Sequence, residues 1–280
     1  MKNMKRVLFY VTAIVPLTLF AACSKDDDQS NQNKTKCSQI TIMEYQWKFG
    51  EVSNYGDLYE QYTYDNNGKL IKSETNHYIN STVGRLPEYS SFQYGDHNHL
   101  IERNDYKLSL FVNKYKYTSN SIDSIATMDK YTEDGTLSES WTYTYDNQRR
   151  LIQAKQTYDI IIPYVDDYSY EGNNVTVVRH RSDNGELFGT TLFEYDEHHN
   201  LLKETWINGD TGQKYLEIYN EYSYTSDGKI SKITSHGYYS KNDLTYKEYT
   251  YNPDGTIHRI HISYSFKTDQ SNLDYTYSKI

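Results

Sequence analysis

Two histidine groups are the first residues in this sequence that invite a chemical reading. His97-Asn98-His99 and His198-His199 bring imidazoles together, the donors that zinc and copper take. Neither group has a third ligand at fixed spacing, and both fall in segments of turn composition, so no metal site is expected. His258 and His261 lie three apart on an extended run and therefore point to opposite faces. Carboxylates are abundant, yet no pair is marked for acid–base work. Asp65, Asp146 and Asp196 recur where turns begin, and an Asp there bonds its own backbone. A glycosidase pair on facing strands would leave no spacing signature. Gly-x-Ser-x-Gly and Gly-rich phosphate loops are absent from the sequence. The expectation is a non-enzyme without a cofactor. Trp47, Trp141 and Trp206 are the stronger candidates, because with exposed tyrosines they would stack on a ligand such as a sugar ring. The competing explanation is that aromatics pair across strands and hold a sheet with little core.

The elements that would position these residues repeat. Tyr62-Thr63-Tyr64-Asp65-Asn66-Asn67-Gly68-Lys69-Leu70-Ile71 is an aromatic–polar–aromatic triplet, a polar turn and a new extended run. Copies align on Tyr64, Tyr94, Tyr117, Tyr145, Tyr170, Tyr195, Tyr224 and Tyr251, with a truncated one at Tyr277. Their mean spacing is about 27 residues, a period that signals repeat architecture. Six residues beyond the second aromatic come Leu70, Leu100, Leu151, Leu201, Ile230 and Ile257. Ile122 and Val175 arrive one residue early. A fixed turn length sets the register of a β-hairpin. Asn252-Pro253-Asp254-Gly255-Thr256 suits a type I turn with a left-handed residue after it. Gly68 and Gly228 take the equivalent place, as do Asn98, Asn174 and His199, whereas Ser121 and Arg149 fit it less well. No segment carries sustained helical periodicity.

The predicted fold is all-β: a repetitive antiparallel hairpin meander of about 16–18 strands, curled into a porin-like barrel or an open shell. Short turns are expected on one rim and longer loops on the other. Thirty-two tyrosines in 280 residues suit half-wet strand surfaces, with an apolar body and a polar tip. Aliphatic residues are sparse, so one thick dry core is not expected.

Residues 1–22 read as a signal peptide, with Lys2, Lys5 and Arg6 before an apolar run from Val7 to Phe20. Residues 23–38 read as a flexible acidic tether, and 39–280 as a single repeat domain. Of 29 basic residues the leader takes three and no acidic ones, leaving 26 against 38 acidic. Without a basic cluster, nucleic-acid binding has no electrostatic footing. Cys37 would then have no cysteine partner, and a disulfide is not expected. Gln61, Thr63, Lys72, Glu74 and Thr75 leave polar atoms on both sides of their strands, against the outward apolar band of a membrane-spanning barrel.

Leu19-Phe20-Ala21-Ala22-Cys23 resembles a bacterial lipobox, which implies lipidation of Cys23. Ser24-Lys25-Asp26-Asp27-Asp28 resembles the acidic export signal of Bacteroides-type surface lipoproteins. The repeats at Tyr62–Leu70 and Tyr143–Leu151 resemble the YD units of the Rhs family, whose sheets curl into a shell. Asp follows the second Tyr directly only at Asp65, Asp146 and Asp196, and no Rhs core or toxin tail is present in the sequence. Length and context are similar to a group of Bacteroides-type lipoproteins of unknown function with a porin-like fold. These resemblances imply an outer-membrane, surface-exposed lipoprotein anchored at Cys23. Its expected partner is a glycan or an envelope or host protein; the alternative is an accessory subunit docked on another envelope protein.

Overall fold

The computed structural model describes residues 37–48, 51–53, 56–76, 78–80, 84–85, 87–121, 124–159, 162–236, 242–265, 267 and 270–279. The leader, Cys23 and the tether up to residue 36 lie outside the described residues, as does Ile122.

The strands are β1 Cys37–Lys48, β2 Glu51–Val52, β3 Asp57–Tyr64, β4 Leu70–Thr75, β5 Tyr78–Asn80, β6 Gly84–Arg85 and β7 Glu88–Tyr94. Next come β8 Leu100–Lys107, β9 Leu110–Ser119, β10 Ile125–Thr132, β11 Leu137–Tyr145, β12 Leu151–Asp159, β13 Tyr164–Glu171 and β14 Asn174–Arg181. The chain ends with β15 Leu187–Tyr195, β16 Leu201–Asn208, β17 Lys214–Tyr224, β18 Ile230–His236, β19 Leu244–Tyr251, β20 Ile257–Tyr264 and β21 Ser271–Lys279. Eighteen of these pair antiparallel, each with its sequence neighbour, and β1 pairs with both β3 and β21. The sheet is therefore a closed barrel. β2 only folds back on the end of β1, and β5 with β6 forms a separate ribbon. A barrel of this strand number is wide enough to enclose a lumen.

Each repeat is one hairpin, and the six-residue register has a direct cause. Tyr64, Tyr94, Tyr145, Tyr195, Tyr224 and Tyr251 stand opposite Leu70, Leu100, Leu151, Leu201, Ile230 and Ile257, with a register shift at each. The shift is a β-bulge, which bends its strand and increases twist. Bulges repeated at the same place curve the sheet toward closure. In the turn itself the Gly68 amide donates to the Asp65 carbonyl, and the Asp65 amide to the Lys69 carbonyl, both at 2.9 Å. Positive φ falls at Gly68 (82°), Gly228 (80°), Gly255 (86°), Asn98 (70°) and His199 (62°).

Three turns differ from their sequence reading. Arg149 takes a positive φ of 62° despite its poor fit, because the Asp146 carboxylate holds the turn around it. In the Tyr170 repeat the left-handed residue is Gly172, not Asn174, which already pairs with Glu171. The loop is two residues long there, and this is why Val175 arrives early. After Tyr117 the strand restarts at Ile125. The opposite rim also mixes lengths. Leu108 and Ser109, both at positive φ (50° and 65°), join β8 to β9, while the β4–β7 connection is long enough to carry its own ribbon.

In-register pairing sorts the side chains onto two faces. One carries the repeat tyrosines, and its dry patch, Ile40, Ile42, Tyr64, Leu70, Ile260 and Leu273, lies across the seam where β1 meets β3 and β21. The other face carries rows of Lys, Glu and Thr. No single thick core exists among the described residues, in agreement with the sparse aliphatics.

Candidate functional site

The tyrosine face is held by a recurring bond. The second-aromatic hydroxyls of Tyr94, Tyr145, Tyr170, Tyr251 and Tyr277 donate to the carbonyls of Leu70, Ile125, Leu151, Ile230 and Ile257, at 2.6–3.1 Å. Tyr222 does the same to Leu201 at 3.0 Å. Each hydroxyl reaches the first residue of the preceding hairpin's second strand. Burial pushes the Tyr117 and Tyr249 phenols up to about 12 and raises Tyr143, Tyr168 and Tyr275 as well. These phenols stay neutral.

Charged groups share that face. Arg179 grips Asp166 through two bonds of 2.5 Å, with Asp166 only 4% exposed. Arg103 holds Asp105 in the same bidentate way at 2.7 and 2.8 Å, and Lys130 pairs with Glu139. Glu204 stands between Phe193 and Ile218 in register. Burial raises its carboxyl above the ordinary value.

The turn carboxylates behave as the repeat pattern predicts. Asp65 Oδ1 accepts from the amides of Asn67 and Lys69, Asp146 Oδ1 from Gln148 and Arg150, and Asp196 Oδ1 from His198 and Asn200. They are structural acceptors. Asp196 also receives the Tyr224 hydroxyl at 2.5 Å.

The three tryptophans occupy separate strands. Trp47 sits near the end of β1, paired in register with Val52. Trp141 is half-buried in β11, in register with Met128 and Gln156, and its indole N–H reaches Glu139 at 3.4 Å. Trp206 packs edge-on to Tyr215, with centroids 5.1 Å apart, and against Phe188. A Cβ added at Gly189 would come within 2.8 Å of its indole nitrogen, so glycine there makes room for the ring. Four strands separate Trp141 from Trp206 in the sheet order, and the two do not form one platform along the sheet.

Of the histidines, His198 packs on the Tyr224 ring, and His261 shares a 2.8 Å bond with Asn272. His258 is the extra residue of its bulge. No group of three His, Cys, Asp or Glu residues assembles among the described residues.

A cleft with no signature in the repeat pattern lies on β8, β9 and β10, on the face opposite the repeat tyrosines and toward the rim of the Leu108-Ser109 turn. Its volume is about 530 Å³, and Asn104, Tyr106, Phe111, Lys114, Lys116 and Tyr131 line it. Tyr106 stacks on Tyr89 at 4.3 Å and meets Phe111 edge-on at 5.8 Å. The Lys116 ammonium lies 5.4 Å from the centre of the Tyr131 ring. At the floor, Asn104 is 7% exposed; its amide N–H₂ donates to Glu102 at 2.8 Å, and its Oδ1 has no hydrogen-bond partner. The missed signal was Tyr106 and Phe111 flanking Leu108-Ser109, a turn with none of the usual turn residues.

No family model matches the chain, and no curated protein matches it. Among solved structures the chain is similar to a porin-like protein from Bacteroides uniformis, at 9% identity and a TM-score of 0.47, over 87% of this chain and 99% of that one. A porin-like protein from Bacteroides vulgatus is similar over the same shares, at 11% identity and a TM-score of 0.36. A chain of the Photorhabdus luminescens Tc holotoxin pore is similar at 15% identity and a TM-score of 0.34, over 81% of this chain but 11% of that one.

Proposed function

We propose that this chain is a non-enzymatic lipoprotein, anchored at Cys23 to the outer membrane and exposed at the cell surface, whose barrel binds an extracellular ligand. One observation carries the reading: both faces of a closed barrel bear charge. The tyrosine face holds Arg103, Asp105, Lys130, Glu139, Asp166 and Arg179, and the other holds the Lys72–Glu74, Lys203–Glu217 and Lys232–Glu248 pairs. Whichever face is outermost, neither offers the lipid-facing apolar band a spanning barrel requires. Attachment to a membrane must then come from elsewhere, and the Cys23 lipobox supplies it. β1 begins at the rim that carries the repeat turns, since Gln39 pairs with Thr63 next to the Asp65 turn. A tether from Cys23 would leave from that rim and present the cleft rim outward.

The test expresses the full chain and a Cys23→Ala variant in a Bacteroides-type host with labelled palmitate, then treats intact cells with protease. Label on the wild type alone, with the barrel removed by protease, is the expected result. An unlabelled wild type would overturn the anchor, and a labelled but protected one would overturn surface exposure.

A second reading has its own observation. Leu108 and Leu110 are 53% and 69% exposed at the tip of the β8–β9 hairpin, an apolar projection suited to docking on another envelope protein. Closure leaves the 18 barrel strands without a free edge for strand addition, so such docking would run through this tip.

A further inference from the structure

We propose that the cleft on β8, β9 and β10 is a saccharide-binding site that takes the neutral pyranose rings of a glycan. The proposal rests on the ligand-binding reading above and names its place and chemistry. Three features converge there. The first is the ring wall: Tyr106, braced by Tyr89 on one side and Phe111 on the other, and Tyr131 across the strands. Rings fixed in this way present flat apolar area at little entropic cost, the surface that the C–H face of a sugar ring covers. The volume of about 530 Å³ lies in the range of small-ligand sites.

The second feature is the mixture of donors and acceptors. Lys114 and Lys116 bring ammonium donors, while Glu133 at the margin brings an acceptor. A sugar hydroxyl donates and accepts at once, and it matches such a lining where a purely anionic or cationic ligand would not. The third is the orphaned Asn104 Oδ1. The amide must turn its N–H₂ to the Glu102 carboxylate, so the carbonyl oxygen is left buried and unpaired. A buried acceptor without a donor is costly, and it marks the floor of the cleft as the place where a donor is wanted.

Charge balance decides between neutral and acidic sugars. Lys114 already pairs with Glu102 at 3.5 Å, and Lys116 stands in register with Asp129. With Glu133 nearby and a chain of net charge −9, no surplus of positive charge remains to hold a uronate or sulfated polymer.

The experiment uses the full chain in detergent and calorimetric titration with cello-, manno-, xylo- and malto-oligosaccharides, with polygalacturonate as the acidic comparison. Tyr131→Ala and Lys116→Ala are measured beside Trp141→Ala, and circular dichroism confirms that each variant folds. Binding of a neutral oligosaccharide, weakened at least about tenfold by the Tyr131 and Lys116 changes but not by Trp141→Ala, is the expected result. A saccharide that binds equally well to both cleft variants would overturn the site and leave the ligand-binding reading standing. Preference for polygalacturonate would overturn the neutral class. No binding of any saccharide by folded protein would overturn the proposal, while a protein ligand would still satisfy the broader reading.

Discussion

The Tyr145 hydroxyl donates to the main-chain carbonyl of Ile125 across 3.0 Å, twenty residues back in the chain. The equivalent bond recurs at Tyr94, Tyr170, Tyr251 and Tyr277 and ties those hairpins to the ones before them. It explains why the second aromatic is so often tyrosine: phenylalanine could fill the same half-buried volume but could not reach the carbonyl. Tyr145→Phe and Tyr170→Phe should each cost about 1 kcal/mol, read as a shift in the urea midpoint at constant m-value. No change in either variant would reduce the hydroxyl to a bystander.

The repeat turn makes opposite forecasts at two equivalent residues. Gly68 has a φ of 82° and open space around its Cβ position, so Gly68→Ala meets only the backbone penalty of the left-handed region, about 1–2 kcal/mol. Arg149 already bears that penalty at a φ of 62°. Its guanidinium makes no ion pair with a described residue, and Arg149→Gly should stabilise the fold by about 1 kcal/mol. Thermal melts of both variants would decide it; a destabilised Arg149→Gly would refute the strain argument.

Asp166 and Arg179 form the most enclosed ion pair among the described residues, with side chains 5% and 17% exposed. Asp166→Ala would remove the carboxylate that this enclosed guanidinium grips, a loss of about 3–5 kcal/mol. Lys72→Ala, in a pair 40% and 28% exposed, should cost under about 1 kcal/mol. Equal losses in the two variants would show that enclosure contributes nothing.

Two kinds of carboxylate give stability opposite slopes with pH. Lys229, followed by the Thr225 hydroxyl, lowers Asp227 to about 2, so its contribution is present above the ordinary carboxylate value of 3.8 and is lost as pH falls toward 2. Glu204 is raised by burial. Its folded form holds the proton longer than the unfolded chain does, and stability therefore falls as pH rises from 4.5 through the folded value. Glu204→Gln should remove that fall and leave the acid limb unchanged, as measured by denaturant titration across pH 3–8. A wild-type curve with no decline above pH 4.5 would contradict the burial argument.

Much of this architecture is legible in the sequence because it repeats. Six copies set an aliphatic residue six positions past the second aromatic, and the same six show it as the direct cross-strand partner. The strand number and the role of the Asp turns follow from the same pattern. Closure was harder to read, because it depends on the pairing of Ile40 and Ile42 with Tyr277 and Tyr275, strands at opposite ends of the described chain with no periodic relationship. The cleft escaped for a different reason. Leu108 and Ser109 turn the chain with backbone angles that Asn and Gly signal and Leu does not, so Tyr106 and Phe111 read as separate strand residues. The tryptophans drew attention by rarity, yet Trp206 is wedged over Gly189 within the aromatic packing of its own strands.

The pairing of β1 with β21 sets an order of events. Every other barrel strand meets its partners within a few dozen residues, and those hairpins can zip up one after another as the chain emerges. Among the barrel strands β1 is made first, yet one of its two partners is β21, the last of them, with Cys37 waiting for Lys279. Until then the growing sheet has two live edges that could capture another chain. Contacts this distant in sequence also slow folding. The final hairpin thus acts as a latch: truncating the last repeat would leave most of the hairpins formed but expose both edges, turning a self-contained ring into a nucleus for aggregation.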